Sequence, residues 1–368
     1  MKIVADENIL FVENYFKEHI IARKPGRLIT KHDLQDADIL LVRSITKVNS
    51  DLLQNTPIKF VGSTTSGFDH LDVGWLQKAG IQWGITKGSN KMAVVQYVIA
   101  VIAALQKMNF LLQKKPRAAV IGVGDIGEEV AKKLKLLGFD VVLYDPFRKD
   151  IVQAPIEALS DLDFMTLHVP LTKKGAHPTY HLIERNFLER QNKNSILLNA
   201  SRGEVISFDD LKLHGQLLLW CLDVFENEPL IDFEILDQAM VATPHIAGYS
   251  LQSKYRGVEM IYRIALEKKI FSSSSKVNIE YPTKTISFDN KALDWQDVVL
   301  NIFDPRETSH HMKKSLIENP NAFDHLRKTF PDRYEFEFIK LQDVLLSEHD
   351  QEILKKLGFK FIFDEKIK

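Results

Sequence analysis

The chain has 368 residues, 45% of them hydrophobic, and a formal net charge of −1. That length exceeds one ordinary core, so two or three domains are expected. The balanced charge offers no basic stripe for nucleic acid and no long acidic tail. The lone cysteine, Cys221, sits in the apolar run Leu217-Leu-Leu-Trp-Cys-Leu222 and reads as a reduced core residue rather than a nucleophile or metal ligand.

The N-terminus enters the apolar run Ile3-Val4-Ala5 with no signal-peptide pattern, so a cytoplasmic protein is expected. Apolar runs at residues 2–5, 38–42, 58–62 and 81–85 alternate with polar helical segments, the pattern of a small α/β unit with a parallel sheet. Residues 92–112 form a long apolar helix candidate, interrupted by Gln96, Gln106, Lys107 and Asn109, which makes it a buried helix rather than a membrane span. A second α/β series follows, with strand candidates at 118–121, 140–144, 164–168, 196–199, 217–222 and 240–242, as in a doubly wound sheet. Residues 251–271 read as a helix that returns to the first domain. The run Ser272-Ser-Ser-Ser-Ser-Lys276 reads as a linker. Beyond it the chain is rich in charge and Phe, with periodic helices, a closing strand over 357–363 and no catalytic pattern of its own. This last part is expected to serve oligomerisation or capping. The domains are therefore expected at 1–90 with the return helix, 91–250, and 277–368.

The segment Ala119-Val-Ile-Gly122-Val-Gly124-Asp125-Ile126-Gly127 reads as strand, glycine turn and helix start. A second strand then ends on Asp145. Gly122 suits the tight turn, Gly124 a close backbone approach to a pyrophosphate, and Gly127 close packing of helix on strand. The helix N-terminus offers N–H groups and a positive dipole end to phosphate. A carboxylate at Asp145 can accept both ribose hydroxyls and would repel a 2′-phosphate. Together these features point to a dinucleotide, NAD rather than NADP.

Hydride chemistry on a hydroxy acid also needs a cation for the carboxylate and a base for the hydroxyl proton. Arg202 directly follows the apolar strand Ile196-Leu-Leu-Asn199 and offers a planar fork for a carboxylate. His245, in Thr243-Pro-His245-Ile-Ala-Gly248-Tyr249, follows another short strand and offers the base. Asp223-Val-Phe-Glu226-Asn-Glu228-Pro229 supplies a carboxylate to fix its tautomer, with Glu228 preferred over Glu226 because proline follows it directly. Asp223 is placed to reach the nicotinamide amide. His310-His311 lacks further ligands at useful spacing, so no metal is implied.

These motifs, in this order, resemble the D-isomer-specific 2-hydroxyacid dehydrogenases. The resemblance implies a Rossmann nucleotide domain, a flavodoxin-like substrate domain and a small C-terminal α+β dimerisation domain. It implies Arg202, Glu228 and His245 as the catalytic set, with Gly122, Gly124, Asp125, Ile126, Gly127, Asp145, Val169, Ala200, Ser201, Asp223 and Gly248 lining NAD. Val169 departs from the small polar residue expected there. Asp6-Glu-Asn8, Val42-Arg-Ser44-Ile-Thr-Lys-Val-Asn49, the segment from Ile58 to His70, Phe303-Asp304, the segment from Phe323 to Lys328 and Lys356-Leu-Gly-Phe359 narrow the likeness to one branch. That branch takes a phosphorylated hydroxy acid and forms a homodimer, with no nucleic acid or membrane partner. Ser44, Thr65 and Tyr249 would touch substrate, and Arg43 and Lys47 would supply charge for its phosphate. The alternatives are a phosphoglycerate or glycerate type of dehydrogenase and, in another class, an NAD-sensing corepressor-like protein.

Overall fold

A computed structural model describes residues 1–272 and 279–362. Two compact units emerge. One joins Met1–Lys91 to Tyr249–Pro282, and the other joins Met92–Gly248 to the described residues from Thr283 onward.

In the first unit β1 (Lys2–Asp6), β2 (Ile20–Lys24), β3 (Ile39–Val42), β4 (Phe60–Ser63) and β5 (Gln82–Ile85) form a parallel sheet in the order β2-β1-β3-β4-β5. The four expected apolar runs are all strands. The fifth, β2, opens on the short run Ile20-Ile-Ala and was not expected; it is an edge strand with no fully buried residue, and Ile20 is 71% exposed. Its chain order is that of flavodoxin-like sheets, whose ligand crevice lies where the winding reverses, here beyond the ends of β1 and β3. The helix Leu251–Glu267 covers one face and stops short of the expected 271. Its approach is close: a Cβ added to Gly62 on β4 would stand 2.6 Å from Ile261 Cγ2.

The second unit holds β6 (Arg117–Ile121), β7 (Asp140–Tyr144), β8 (Phe164–Leu167), β9 (Ile196–Asn199), β10 (Leu219–Leu222) and β11 (Val241–Ala242), all parallel in the order β7-β6-β8-β9-β10-β11. Burial on both faces accounts for the near-continuous apolar strands, such as Ile-Leu-Leu in β9. The helix Lys91–Lys107 is buried along almost its whole length, which its run Ala93-Val-Val-Gln-Tyr-Val-Ile foretells. It ends five residues earlier than expected, and Leu111 beyond it takes a positive φ of 54°.

The C-terminal region adds a parallel three-stranded sheet of β12 (Lys284–Ala292), β13 (Ile339–Leu345) and β14 (Lys360–Phe361). The expected closing strand is shortened to two residues because Leu357 still belongs to the helix Glu348–Leu357; residue 363 and the serine run from 273 lie outside the described residues. The helix Pro305–Glu318 covers the open edge at β11: Ser309 Oγ accepts the Ala242 N–H at 2.9 Å. Its Met312 and Leu316 join one hydrophobic cluster with Leu222, Ala242 and Phe225. An exposed strand edge is thus closed from within the chain.

The core depends on a few large side chains. Phe164, on β8, is fully buried with its ring 6.1 Å from that of Phe139. Phe164→Ala should cost about 3–5 kcal/mol in urea unfolding, since a central strand has little room to collapse around the void. A loss below about 1 kcal/mol would contradict that placement.

Candidate active site

The end of β6 delivers the glycine turn. Gly122 has φ 90° and donates its N–H to Tyr144 O at 2.8 Å. A Cβ there would stand 2.7 Å from the His168 backbone and from Val169 Cγ1, so β6 and β8 part at this point with no space for a side chain. Gly127 lies against the Gly122 carbonyl, which brings the helix Asp125–Leu136 close onto the sheet. Gly124 differs: nothing lies within 4 Å of a Cβ built on it. The helix therefore starts with Asp125 and Ile126 beside open space, as a pyrophosphate needs.

The second strand completes the cradle. Asp145 accepts the Val123 N–H on Oδ2 at 2.9 Å and the Phe147 N–H on Oδ1 at 3.0 Å. Arg148 Nη1 donates to Val123 O at 2.7 Å. The turn is held through both peptide groups of one residue, and the half-buried Asp145 carboxylate keeps lone pairs for ribose hydroxyls. These residues fit NAD.

The ends of β9, β10 and β11 carry the candidate catalytic side chains. Asn199 closes β9 by accepting the Ser201 N–H at 3.0 Å and the Ser201 hydroxyl at 2.8 Å, while its Nδ2 donates to Arg202 O at 2.8 Å. This fixes the Ala200–Ser201–Arg202 turn, and Arg202 Nη1 donates to Ser201 O at 2.8 Å. Gly203 then packs on the Phe225 backbone, linking this turn to the one carrying the acids.

Asp223, directly after β10, is 1% exposed. Its Oδ1 accepts the Thr243 hydroxyl at 2.6 Å and the Ile246 N–H at 2.8 Å, and its Oδ2 accepts the Ala247 N–H at 2.8 Å. Burial pushes its carboxyl pKa up, opposed by His245 and these donors. The carboxylate expected at the nicotinamide is thus buried, with three donors of the turn that ends at Gly248 bonded to it.

His245 has φ 53°, in the left-handed region, and its N–H donates to Asp223 O at 2.7 Å. Its Nδ1 lies 2.8 Å from Glu228 Oε2. An ionised carboxylate can only accept, so Nδ1 carries the hydrogen and Nε2 is left for a substrate proton. Glu228 Oε1 accepts the Phe225 N–H at 3.0 Å. Burial works to raise the Glu228 pKa, but His245, Arg327 and the Phe225 N–H outweigh it and hold the group below the usual carboxylate range. Glu226, the other acid of that segment, turns away to His181 at 3.1 Å.

In the first unit, the winding reversal holds a second polar group. Buried Asp6 ends β1 and takes Arg43 Nε at 3.0 Å and Nη2 at 3.4 Å, and Arg43 Nη1 donates to Tyr249 Oη at 3.4 Å. The Arg43 fork expected for substrate phosphate is thus largely committed to Asp6, while Lys47 is exposed. Thr65 Oγ1 lies 2.7 Å from Ser63 Oγ, which lies 2.8 Å from His70 Nε2, and Ser44 is half-buried in the turn after β3. Two contributors were not singled out from the sequence. Thr243 is recognisable in Thr243-Pro-His245, whereas Arg333 gives no sequence signal because it arrives from the C-terminal region.

The chain resembles known proteins over most of its length. Residues 100–247 match the D-isomer specific 2-hydroxyacid dehydrogenase, NAD binding domain, and residues 278–358 match a domain of unknown function. The erythronate-4-phosphate dehydrogenase of Coxiella burnetii is 42% identical over 349 residues, covering 93% of this chain and 95% of that one. The chain belongs to the erythronate-4-phosphate dehydrogenase family. Its counterpart from Acinetobacter baumannii is 38% identical, with 91% and 98% covered. This is the branch to which the segments around Asp6, Ser44, Thr65 and Phe323 pointed. At the level of fold, a D-lactate dehydrogenase from Aquifex aeolicus, solved with NAD and lactic acid, superimposes with a TM-score of 0.61 at 23% identity, covering 73% of this chain and 96% of that one. A cofactor-bound 3-phosphoglycerate dehydrogenase from Entamoeba histolytica gives 0.62 at 20% identity, covering 73% and 94%. The family fixes a NAD-dependent dehydrogenase. Among the described residues, no helix is long and apolar enough to cross a membrane, and no group of three His, Cys, Asp or Glu side chains is placed to hold a metal ion.

The two glycines should separate binding from folding. Gly124→Ala, facing open space, should leave thermal stability within about 1 °C and raise the NAD Kd at least about tenfold. Gly127→Ala, against the Gly122 carbonyl, should lower Tm by several degrees, a loss of about 1–3 kcal/mol. Normal NAD binding by the first variant would refute the pyrophosphate assignment.

Proposed function

We propose that this chain oxidises 4-phospho-D-erythronate at C2 to (R)-3-hydroxy-2-oxo-4-phosphobutanoate, a step of pyridoxal phosphate biosynthesis. The observation that carries this reading is the 42% identity to an erythronate-4-phosphate dehydrogenase over nearly the full length of both chains. The His245–Glu228 pair at 2.8 Å supplies the chemistry the step requires.

NAD, when bound, accepts a hydride from C2 of the hydroxy acid. The chain's own groups do the rest. His245 Nε2 takes the C2 hydroxyl proton, so that the C–O bond becomes a carbonyl as the C–H pair leaves. Glu228 holds the imidazole in the tautomer that leaves Nε2 unprotonated, and stabilises the imidazolium once the proton has moved. Arg202, projecting from the Asn199-braced turn, takes the substrate carboxylate bidentately. Asp145 accepts the adenosine ribose hydroxyls, and the N–H groups at Asp125 and Ile126 face the pyrophosphate. Gly122, Gly124, Gly127, Val169, Ala200, Ser201 and Gly248 shape the rest of that cradle, with Asp223 acting from behind it.

Ser44, Thr65 and Tyr249 are assigned to the substrate. Because Arg43 is tied to Asp6, its contribution to the phosphate is a shared one: Tyr249 Oη and the outer face of the fork, aided by Lys47. The C-terminal region is assigned to a homodimer, and the compartment to the cytoplasm.

Steady-state oxidation tests the substrate. With NAD, 4-phospho-D-erythronate should show a kcat/KM at least a hundredfold above 3-phosphoglycerate and D-glycerate, about 2.7 kcal/mol of transition-state preference. Activity confined to the other acids would remove the named substrate and keep the family. His245→Ala should lose at least about a hundredfold in kcat while still binding NAD, since a positioned base contributes about 10²–10⁴-fold.

A further inference from the structure

The C-terminal region reaches the turn that carries His245. Arg333 is 5% exposed, and its guanidinium stacks over the Phe303 ring with 4.8 Å to the centroid. Its Nη2 donates to Ala247 O at 2.6 Å and to Ala93 O, in the first turn of the helix Lys91–Lys107, at 3.1 Å. The N–H of the same Ala247 donates to Asp223 Oδ2 at 2.8 Å. One residue, two positions past His245, is therefore held at its N–H by a buried carboxylate and at its C=O by a buried guanidinium.

A lone buried charge of either sign is costly, whereas opposite charges joined through hydrogen bonds compensate each other. Burial pushes the Arg333 pKa down to about 10, opposed by Asp223, Glu335 and Tyr97. Burial likewise raises Asp223. The titratable groups around the pair are His245, Tyr97, Cys221 and Glu335. Tyr97 Oη lies 2.7 Å from Thr243 Oγ1, which itself donates to Asp223, so the same network continues into the long helix. A second arginine of the region, Arg327, acts in the same sense on Glu228.

We infer that Arg333 is a positioning residue for the dehydrogenation: through the Ala247 peptide, whose N–H bonds Asp223, it fixes the His245–Gly248 turn. The C-terminal region is then part of the catalytic apparatus of its own chain, beyond any role in assembly. This rests on the assignment of His245 as the proton acceptor.

The test uses the full-length protein with Arg333→Met and Arg333→Lys, and His245→Ala in parallel. Measured are kcat per NAD-binding site, the NAD Kd, and kcat against pH. In Arg333→Met, kcat per site should fall at least tenfold with the NAD Kd within threefold. The acid limb of the profile should move to higher pH, because removing a nearby buried positive charge disfavours ionised Asp223. Arg333→Lys keeps the charge but not the fork and should recover part of both effects. It also carries the test if the methionine variant does not fold. A parental kcat per site, or a parental acid limb, in the folded variants would overturn the inference and leave Arg333 as a strut, even if Tm drops. An active His245→Ala would instead overturn the base assignment, so the two failures are distinct.

Discussion

The site depends on one buried carboxylate. Asp223 sits where β10 ends, with no exposed face of consequence, and draws in Thr243, Ile246 and Ala247 through its two oxygens. Its own carbonyl takes the His245 N–H. That set of bonds forces His245 into the left-handed region, a conformation that costs a non-glycine residue on the order of 1–3 kcal/mol and persists only when its surroundings over-determine it. The result is a histidine whose backbone is fixed by the turn and whose ring is oriented by the Glu228 bond to Nδ1. A mobile side chain would have to be ordered in each turnover. Here the ordering is done on folding.

A second constraint explains where the remaining groups sit. Parallel strands all end on one side, and a sheet that winds both ways leaves a crevice where the direction reverses. In the nucleotide unit the reversal falls between β6 and β8, and Gly122, His168 and Val169 meet there with no room for a Cβ. Arg202, Asp223 and His245 each follow the next strands by one to three residues. In the first unit the reversal falls between β1 and β3, and the buried Asp6 meets Arg43 there. The chain passes from one unit to the other between Gly248 and Tyr249, so the turn bearing the base and the residue assigned to substrate are contiguous.

Much of this was legible in the sequence for a physical reason. Interior parallel strands are apolar runs, and the candidate residues Gly122, Asp145, Arg202 and His245 stand out by following their ends. Glu228 was separable from Glu226 by the proline beside it, and the two do point to different histidines. What was not legible is non-local. The edge strand β2 carries only the short run Ile20-Ile-Ala before Arg23 and Lys24, and none of it is fully buried. Nothing local to Asp223 says that Ile246 and Ala247 will bond its oxygens. Arg43 looks like free positive charge until Asp6, 37 positions away, is seen to hold it. Arg333 is the extreme case: its partners Ala93 and Ala247 are 240 and 86 positions distant, and backbone carbonyls leave no trace in a sequence.

The role of Asp223 is the claim on which the geometry turns, and Asp223→Asn addresses it with a change of one atom. The amide nitrogen would have to face a hydroxyl or N–H that is itself a donor, leaving a buried donor unpaired at about 1–3 kcal/mol. The measurement is kcat of the folded variant on 4-phospho-D-erythronate at saturating NAD. The expected result is a fall of at least a hundredfold, because the His245 turn loses the acceptor that holds it. A kcat within twofold of the parent would show that His245 is aimed without Asp223 and would contradict its central place in the site.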